Sequence, residues 1–169
     1  MILIVGLGNP GKQYENTRHN LGFRVLDLLT TNEGWENKYD SKFLKLDDVI
    51  LAKPQTFMNK SGEAVKEILK YYPAAELVVI HDELDLPLGA IKIQKNISGA
   101  GHNGIQSIIE QLGTQNFIRI QLGIEGADVL QKFTDEEEKI VKEVLLKAKD
   151  AVEVLQTQGL EIAQSKFNG

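Results

Sequence analysis

The feature that most constrains this chain is a short apolar run that breaks at once into glycines. Residues 2–5 read Ile-Leu-Ile-Val, unbroken and largely β-branched. Such a run fits a strand buried on both faces, in a sheet covered by helices on either side. Gly6-Leu7-Gly8-Asn9-Pro10-Gly11 follows directly. The glycines permit a tight turn, and Pro10 discourages an immediate helix. Helical periodicity resumes only at Leu21. The polar loop between them holds Asn9, Arg18, His19 and Asn20. In open α/β sheets ligands bind where strands end and loops begin, so this loop is the first place to look for function.

The rest of the chain repeats the alternation. Asn20 is placed to cap a helix with Leu21, Val25, Leu28 and Leu29 on one face, ending near Gly34. Strands are expected around Phe43–Leu46 and over residues 49–52, turning at Asp47-Asp48. A loop opened by Pro54 runs to Gly62, and a helix then carries Val65, Ile68, Leu69 and Tyr72. The second fully apolar strand, residues 77–80, delivers His81 and Asp82 at its end. Ile91 and Ile93 alternate with Lys92 and Gln94 as a half-exposed strand. A glycine-rich segment with His102-Asn103 precedes a helix of Ile105, Ile108, Ile109 and Leu112. In residues 117–124, Ile118, Ile120 and Leu122 face one way, Arg119 and Gln121 the other. Thr134 and Glu137 have capping-box spacing ahead of a long helix, with a further helical segment reaching Phe167. The expected fold is α/β: a three-layer, mixed but mostly parallel twisted sheet flanked by helices, as a single domain over residues 1–169.

Composition narrows the chemistry. The chain has no cysteine, which removes disulfides, thiolate metal sites and a cysteine nucleophile. No apolar run reaches membrane-spanning length and no leader pattern opens the chain, so a cytoplasmic protein is expected. The net charge of −5 means that any phosphate binding must come from a local basic patch. Gly6-x-Gly8-x-x-Gly11 matches a dinucleotide fingerprint literally, but the helix should then start inside the glycines and an acid should end the next strand. Neither condition is met. His19 gains interest from Asp82, because a parallel sheet brings the end of the second buried strand beside the first loop. A carboxylate against an imidazole fixes its tautomer and raises its basicity, so that it can activate water. Asp85 competes for the same role. Asn9, Asn59 and Asn103 sit in loops beside helices; they suit capping equally with hydrogen bonding to a carbonyl or oxyanion. No spacing suggests a metal site, and Ser61 and Ser98 have no evident base. Pattern alone reads as a hydrolase using activated water, without cofactor or metal.

The loops together are more specific than any one of them. Gly6-Leu7-Gly8-Asn9-Pro10-Gly11 with Tyr14, Thr17-Arg18-His19-Asn20 and Gly22-Phe23 resembles bacterial peptidyl-tRNA hydrolases. So do Lys53-Pro54 with Thr56-Phe57-Met58-Asn59-x-Ser61-Gly62, then His81-Asp82-Glu83-Leu84-Asp85-Leu86-Pro87-x-Gly89, and Gly101-His102-Asn103-Gly104. The resemblance implies a monomer that cleaves the ester joining peptide to the terminal ribose of tRNA and recycles tRNA lost from ribosomes. It implies His19 as the general base, Asp82 as its orienting partner, and Asn9, Asn59 and Asn103 as positioning amides. Tyr14, Met58 and His102 would line the cleft. An ester is a good acyl donor, so water and one base can suffice. The alternative is an RNA-binding paralogue with weak or no hydrolase activity.

Departures from the resemblance concern tRNA. Family members usually carry basic side chains near Gln94 and Gln121 to hold the 5′-phosphate; both are neutral here. Lys92, Lys95 and Arg119 remain as possible phosphate contacts. The glycine-rich segment reads Asn96-Ile97-Ser98-Gly99-Ala100, and the stretch after Gly123 is shorter than the family's, with Glu125-Gly126-Ala127-Asp128 ahead of Val129-Leu130.

Overall fold

The computed structural model describes all residues except Asn32, Ala100, Ala127 and Gly169. Ala100 and Ala127, singled out above within altered segments, therefore lie outside the described residues. The strands are β1 (Ile2–Gly6), β2 (Glu36–Lys38), β3 (Ser41–Leu46), β4 (Val49–Pro54), β5 (Glu76–Glu83), β6 (Ile91–Lys95) and β7 (Ile118–Gly123). They form one sheet in the order β2-β3-β4-β1-β5-β7-β6. The central strands β4, β1, β5 and β7 are parallel, and β2, β3 and β6 add antiparallel edges. The helices are α1 (Leu21–Leu29), α2 (Ser61–Tyr71), α3 (Asn103–Leu112), α4 (Asp135–Gln158) and α5 (Leu160–Phe167).

Strand alternation divides the core in two. Ile4, Leu51, Val78, Ile80, Ile120 and Leu122 pack one face against α1, α4 and α5. Leu3, Val5, Ile50, Ala52, Leu77 and Val79 pack the other against α2 and α3. The result is the expected three layers, with nearly continuous apolar runs in the doubly covered strands.

The elements differ from the sequence expectations in ways that bear on the site. Helix α1 stops at Leu29 with Thr30 extended, short of Gly34, because the polar residues beyond offer no apolar face. Strand β5 runs through His81 and Asp82 to Glu83; pairing of these residues with Gln121, Leu122 and Gly123 carries it past the apolar run. The glycine segment leads into 3-10 turns at Lys12–Tyr14 and Arg18–Asn20 before α1 begins, so no long helix opens at the glycines. Gly6 and Gly22 explain the tight join. A Cβ on Gly6 would strike the Gly22 carbonyl, and one on Gly22 would strike the Leu7 amide and the Ile80 carbonyl. Helix α1 therefore lies directly against the ends of β1 and β5, and the His19 turn is set over them.

Candidate active site

The site forms at the carboxyl ends of β1 and β5. His19, in the 3-10 turn before α1, faces Asp82 at the end of β5, and both are buried. His19 Nδ1 lies 2.9 and 3.0 Å from the two Asp82 carboxylate oxygens. An ionised carboxylate only accepts, so Nδ1 carries the proton and Nε2 keeps its lone pair. His102 Nε2–H donates to Asp82 Oδ1 at 2.9 Å. The tautomer of His102 is set from its other side, because Nδ1 accepts from the Gly104 and Ile105 amides at 3.1 and 3.2 Å. Burial alone would raise the Asp82 carboxyl, but the adjacent His102, by charge and hydrogen bond, and then His19 outweigh it. Asp82 is held well below the usual carboxylate range and remains an anion. Asp85, the competing acid, is exposed, and its amide bonds back to Glu83.

The ligand-capable atoms of His19, Asp82 and His102 all lie within 4.8 Å of one another, so a cation held here would use this cluster. Direct hydrogen bonds already account for that spacing.

The amides behave differently from one another. Asn20 does not cap α1. Its Oδ1 accepts from the Asn9 amide at 2.8 Å and its Nδ2 donates to the Asn9 carbonyl at 2.9 Å, which clamps the β1 loop to the His19 turn. Asn9 Oδ1 accepts from the Met58 amide at 2.7 Å. With its oxygen fixed, the Asn9 side chain presents its NH₂ as a donor. The capping alternative fails for Asn59 and Asn103 as well. His102 caps α3, and Asn59 lies in the 3-10 turn Met58–Lys60 before α2. Both asparagines are exposed.

Met58 is buried and Tyr14 half-buried. Tyr14 meets Phe57 edge-to-face at 6.4 Å. Phe57 is 51% exposed and held at φ 65, a left-handed conformation uncommon for an aromatic residue. Its exposed ring directly precedes Met58 in the chain. A groove of about 940 Å³ continues from Asn9 and Asn20 past Phe23, Arg24 and Lys53 toward α4.

The short segment after Gly123 reaches the His19 turn through its backbone. The His19 amide donates to the Val129 carbonyl at 2.8 Å and the Arg18 amide to the Gln131 carbonyl at 2.9 Å. The short segment thus straps the His19 turn. Arg18 adds a fork to Glu137 at 2.9 and 3.1 Å and stacks over Phe133. No sequence spacing reveals backbone bonds of this kind.

The expected phosphate contacts separate. Lys92 is exposed and lies opposite Gln121, on the face shared by Gln94 and Arg119. Lys95 is exposed and opposite Ile118, on the other face. Gln121 donates to Gln94 at 2.8 Å. Arg119 corrects the expectation of an accessible cation. It is fully buried, its Nε–H donates to His81 at 3.0 Å and its Nη1 to the Ser98 carbonyl at 2.6 Å, so its guanidinium is withdrawn from solvent phosphate.

A covered α/β sheet with a histidine–carboxylate pair and donor amides at its strand ends has the makings of a hydrolase that activates water. The comparisons agree in class and specify it. A profile described as peptidyl-tRNA hydrolase matches residues 3–169, and the chain belongs to that family. It is 44% identical to the peptidyl-tRNA hydrolase of Thermoanaerobacter sp. (strain X514), over 100% of both chains. It is 42% identical to that of Chloroflexus aggregans (strain MD-66 / DSM 9485), over 99% of each. The crystal structure of the Acinetobacter baumannii peptidyl-tRNA hydrolase superposes with a TM-score of 0.89 at 30% identity, covering 100% of this chain and 95% of that one.

Proposed function

We propose that this protein hydrolyses the ester between a peptide and the terminal ribose of tRNA, with His19 as general base. The observation that carries the reading is the pair of short bonds from His19 Nδ1 to Asp82, which leaves the Nε2 lone pair for water. In this reading Nε2 takes a proton as the water oxygen attacks the ester carbonyl. Asp82 stabilises the imidazolium that forms. The Asn9 NH₂ is a donor suited to the carbonyl oxygen as it gains charge. Collapse of the tetrahedral intermediate breaks the ester bond, and the histidine returns its proton to the departing ribose oxygen. Asn59 and Asn103, both exposed, would hold backbone amides of the peptide, with Tyr14, Met58 and Phe57 as walls. No group beyond these side chains is needed, because a good acyl donor requires neither a covalent nucleophile nor a metal.

The tRNA side of the substrate falls to the surface at β6 and β7, where the exposed Lys92 lies directly across from Gln121 and Lys95 lies on the opposite face of the edge strand. Among the described residues no helix is long and apolar enough to cross a membrane. A monomer working in the cytoplasm is the simplest setting for this reaction.

The test is release of free tRNA from a defined peptidyl-tRNA. Turnover supports the hydrolase. Binding of the substrate without turnover would favour the RNA-binding paralogue.

A further inference from the structure

Beneath the dyad lies a buried polar pair that takes no part in the steps above. His81 and Arg119 are both fully buried. They stand on neighbouring parallel strands, β5 and β7. Arg119 Nε–H donates to His81 Nε2 at 3.0 Å. A guanidinium has only donors, so Nε2 must hold the lone pair. The ring proton then sits on Nδ1, which donates to the Asp82 carbonyl at 2.7 Å. One neutral tautomer satisfies both bonds. Burial first, with the neighbouring His102 and Arg119 adding to it, holds His81 well below the ordinary histidine range. The same ring meets His102 edge-on, with centroids 4.8 Å apart.

Arg119 has a second arm. Its Nη1 donates to the Ser98 carbonyl at 2.6 Å and more weakly to that of Ile97 at 3.4 Å. Gly99 follows, and its carbonyl accepts from the His102 amide at 3.0 Å. One guanidinium therefore reaches both sides of the catalytic carboxylate. Through His81 it reaches the Asp82 backbone, and through the loop it reaches the ring that donates to Asp82 Oδ1.

We propose that Arg119 and His81 are positioning residues for the hydrolytic site, fixing the place of the Asp82 carboxylate and of His102 through this chain of hydrogen bonds. The proposal rests on Asp82 being the partner of His19 in the reaction. A wholly buried guanidinium forfeits its hydration, and Glu83 stands 4.0 Å away, too far for a close ion pair. Stability alone is thus a poor reason for this residue on a strand whose neighbours Ile118 and Ile120 are apolar and buried. Lysine cannot replace it, because a point charge on a flexible stem cannot serve two directions at once.

The first readout is the long-range proton–nitrogen correlation spectrum of the imidazoles in the intact protein, which has three histidines to assign. A neutral His81 protonated at Nδ1 is expected; a His81 protonated at Nε2, or a cationic one, would overturn the proposal. The second is steady-state kinetics of Arg119→Lys and His81→Gln beside the parent, with thermal unfolding of each. Each variant is expected to lower kcat by about tenfold or more and to leave KM within about twofold, the pattern of misplaced catalytic groups. Both should also shift the ring signals of His102 and His19. An unchanged kcat, or a loss confined to KM and dependent on the tRNA 5′-phosphate, would refute positioning and make Arg119 a substrate ligand. An inactive parent would refute the proposed hydrolysis instead, and the His81 tautomer would still decide the positioning claim, as it would if a variant failed to fold.

Discussion

At the scale of single residues, the site depends on which nitrogen of each histidine carries a proton. His19, His81 and His102 each have one nitrogen assigned by a neighbour that can only donate or only accept. Asp82→Asn should therefore do two kinds of harm: the amide can still orient His19 but cannot stabilise its cation. We expect kcat to fall by at least about a hundredfold, with residual turnover above a His19→Ala background. Asp85→Ala, at an exposed position, should leave kcat near the parent value; a larger loss there than at Asp82 would reassign the acid. Asn59→Ala and Asn103→Ala should each cost about 0.5–1.5 kcal/mol in kcat/KM, the worth of one neutral hydrogen bond. Full activity in both would remove them from substrate handling. The loops that hold His19, Asp82 and the three asparagines keep a recognisable order along the chain, and the fold brings His19 against Asp82. Arg119 was legible as a cation and misread as an exposed one. Alternation places it opposite Ile118 and Ile120, but on a doubly covered strand both faces are interior. The left-handed backbone of Phe57 leaves no trace in residue type, because the residue is not glycine.

At the scale of elements, the apolar runs and periodicities were enough to place β1, β5, β7 and the five helices. The ends were not, since they depend on partners. Strand β5 outlasts its apolar run because β7 continues beside it, and α1 ends where its apolar face ends. The strap over the His19 turn consists of backbone bonds to Val129 and Gln131, anchored by the Arg18–Glu137 fork. Glu137 is lowered from 4.5 to about 2, chiefly by the hydrogen bond from Arg18 and then by the Thr134 amide. A depressed folded-state value means stability present above the ordinary carboxylate range and lost as pH falls through the folded one. Glu137→Gln should accordingly lower Tm at neutral pH by a few degrees, for an interaction worth about 1 kcal/mol. The gap between variant and parent should close as pH falls from 4.5 toward about 2. A gap that persisted at acid pH would show that the fork is not its source. Gly22→Ala, which drives a methyl into the Leu7 and Ile80 backbones, should destabilise by about 1–3 kcal/mol or more, read as a lower denaturation midpoint. An unchanged midpoint would mean that α1 can back away from β1 without loss.

At the scale of the whole molecule, the three-layer sheet, the carboxyl-end site and the family were all readable from the chain, because each rests on patterns that span it. The treatment of tRNA was less so. The molecule carries a net charge of −5, and Gln94 and Gln121, which bond to each other on the β6–β7 face, add none of the positive charge that the resemblance anticipates there. Fewer phosphate contacts release fewer counterions, so affinity should fall only shallowly with salt. Gln94→Lys with Gln121→Arg should tighten binding of 5′-phosphorylated substrate selectively and steepen the salt slope by about one to two charges. Equal effects on substrates with and without the phosphate would place the clamp elsewhere. The rest of the proposed reaction turns on His19 as its base. The most direct measurement is release of free tRNA from a defined peptidyl-tRNA by the parent and by His19→Ala, with the thermal unfolding of both recorded. The expected result is rapid release by the parent and none above background by a variant that unfolds near the parent temperature. Comparable release by a folded His19→Ala protein would contradict His19 as the general base.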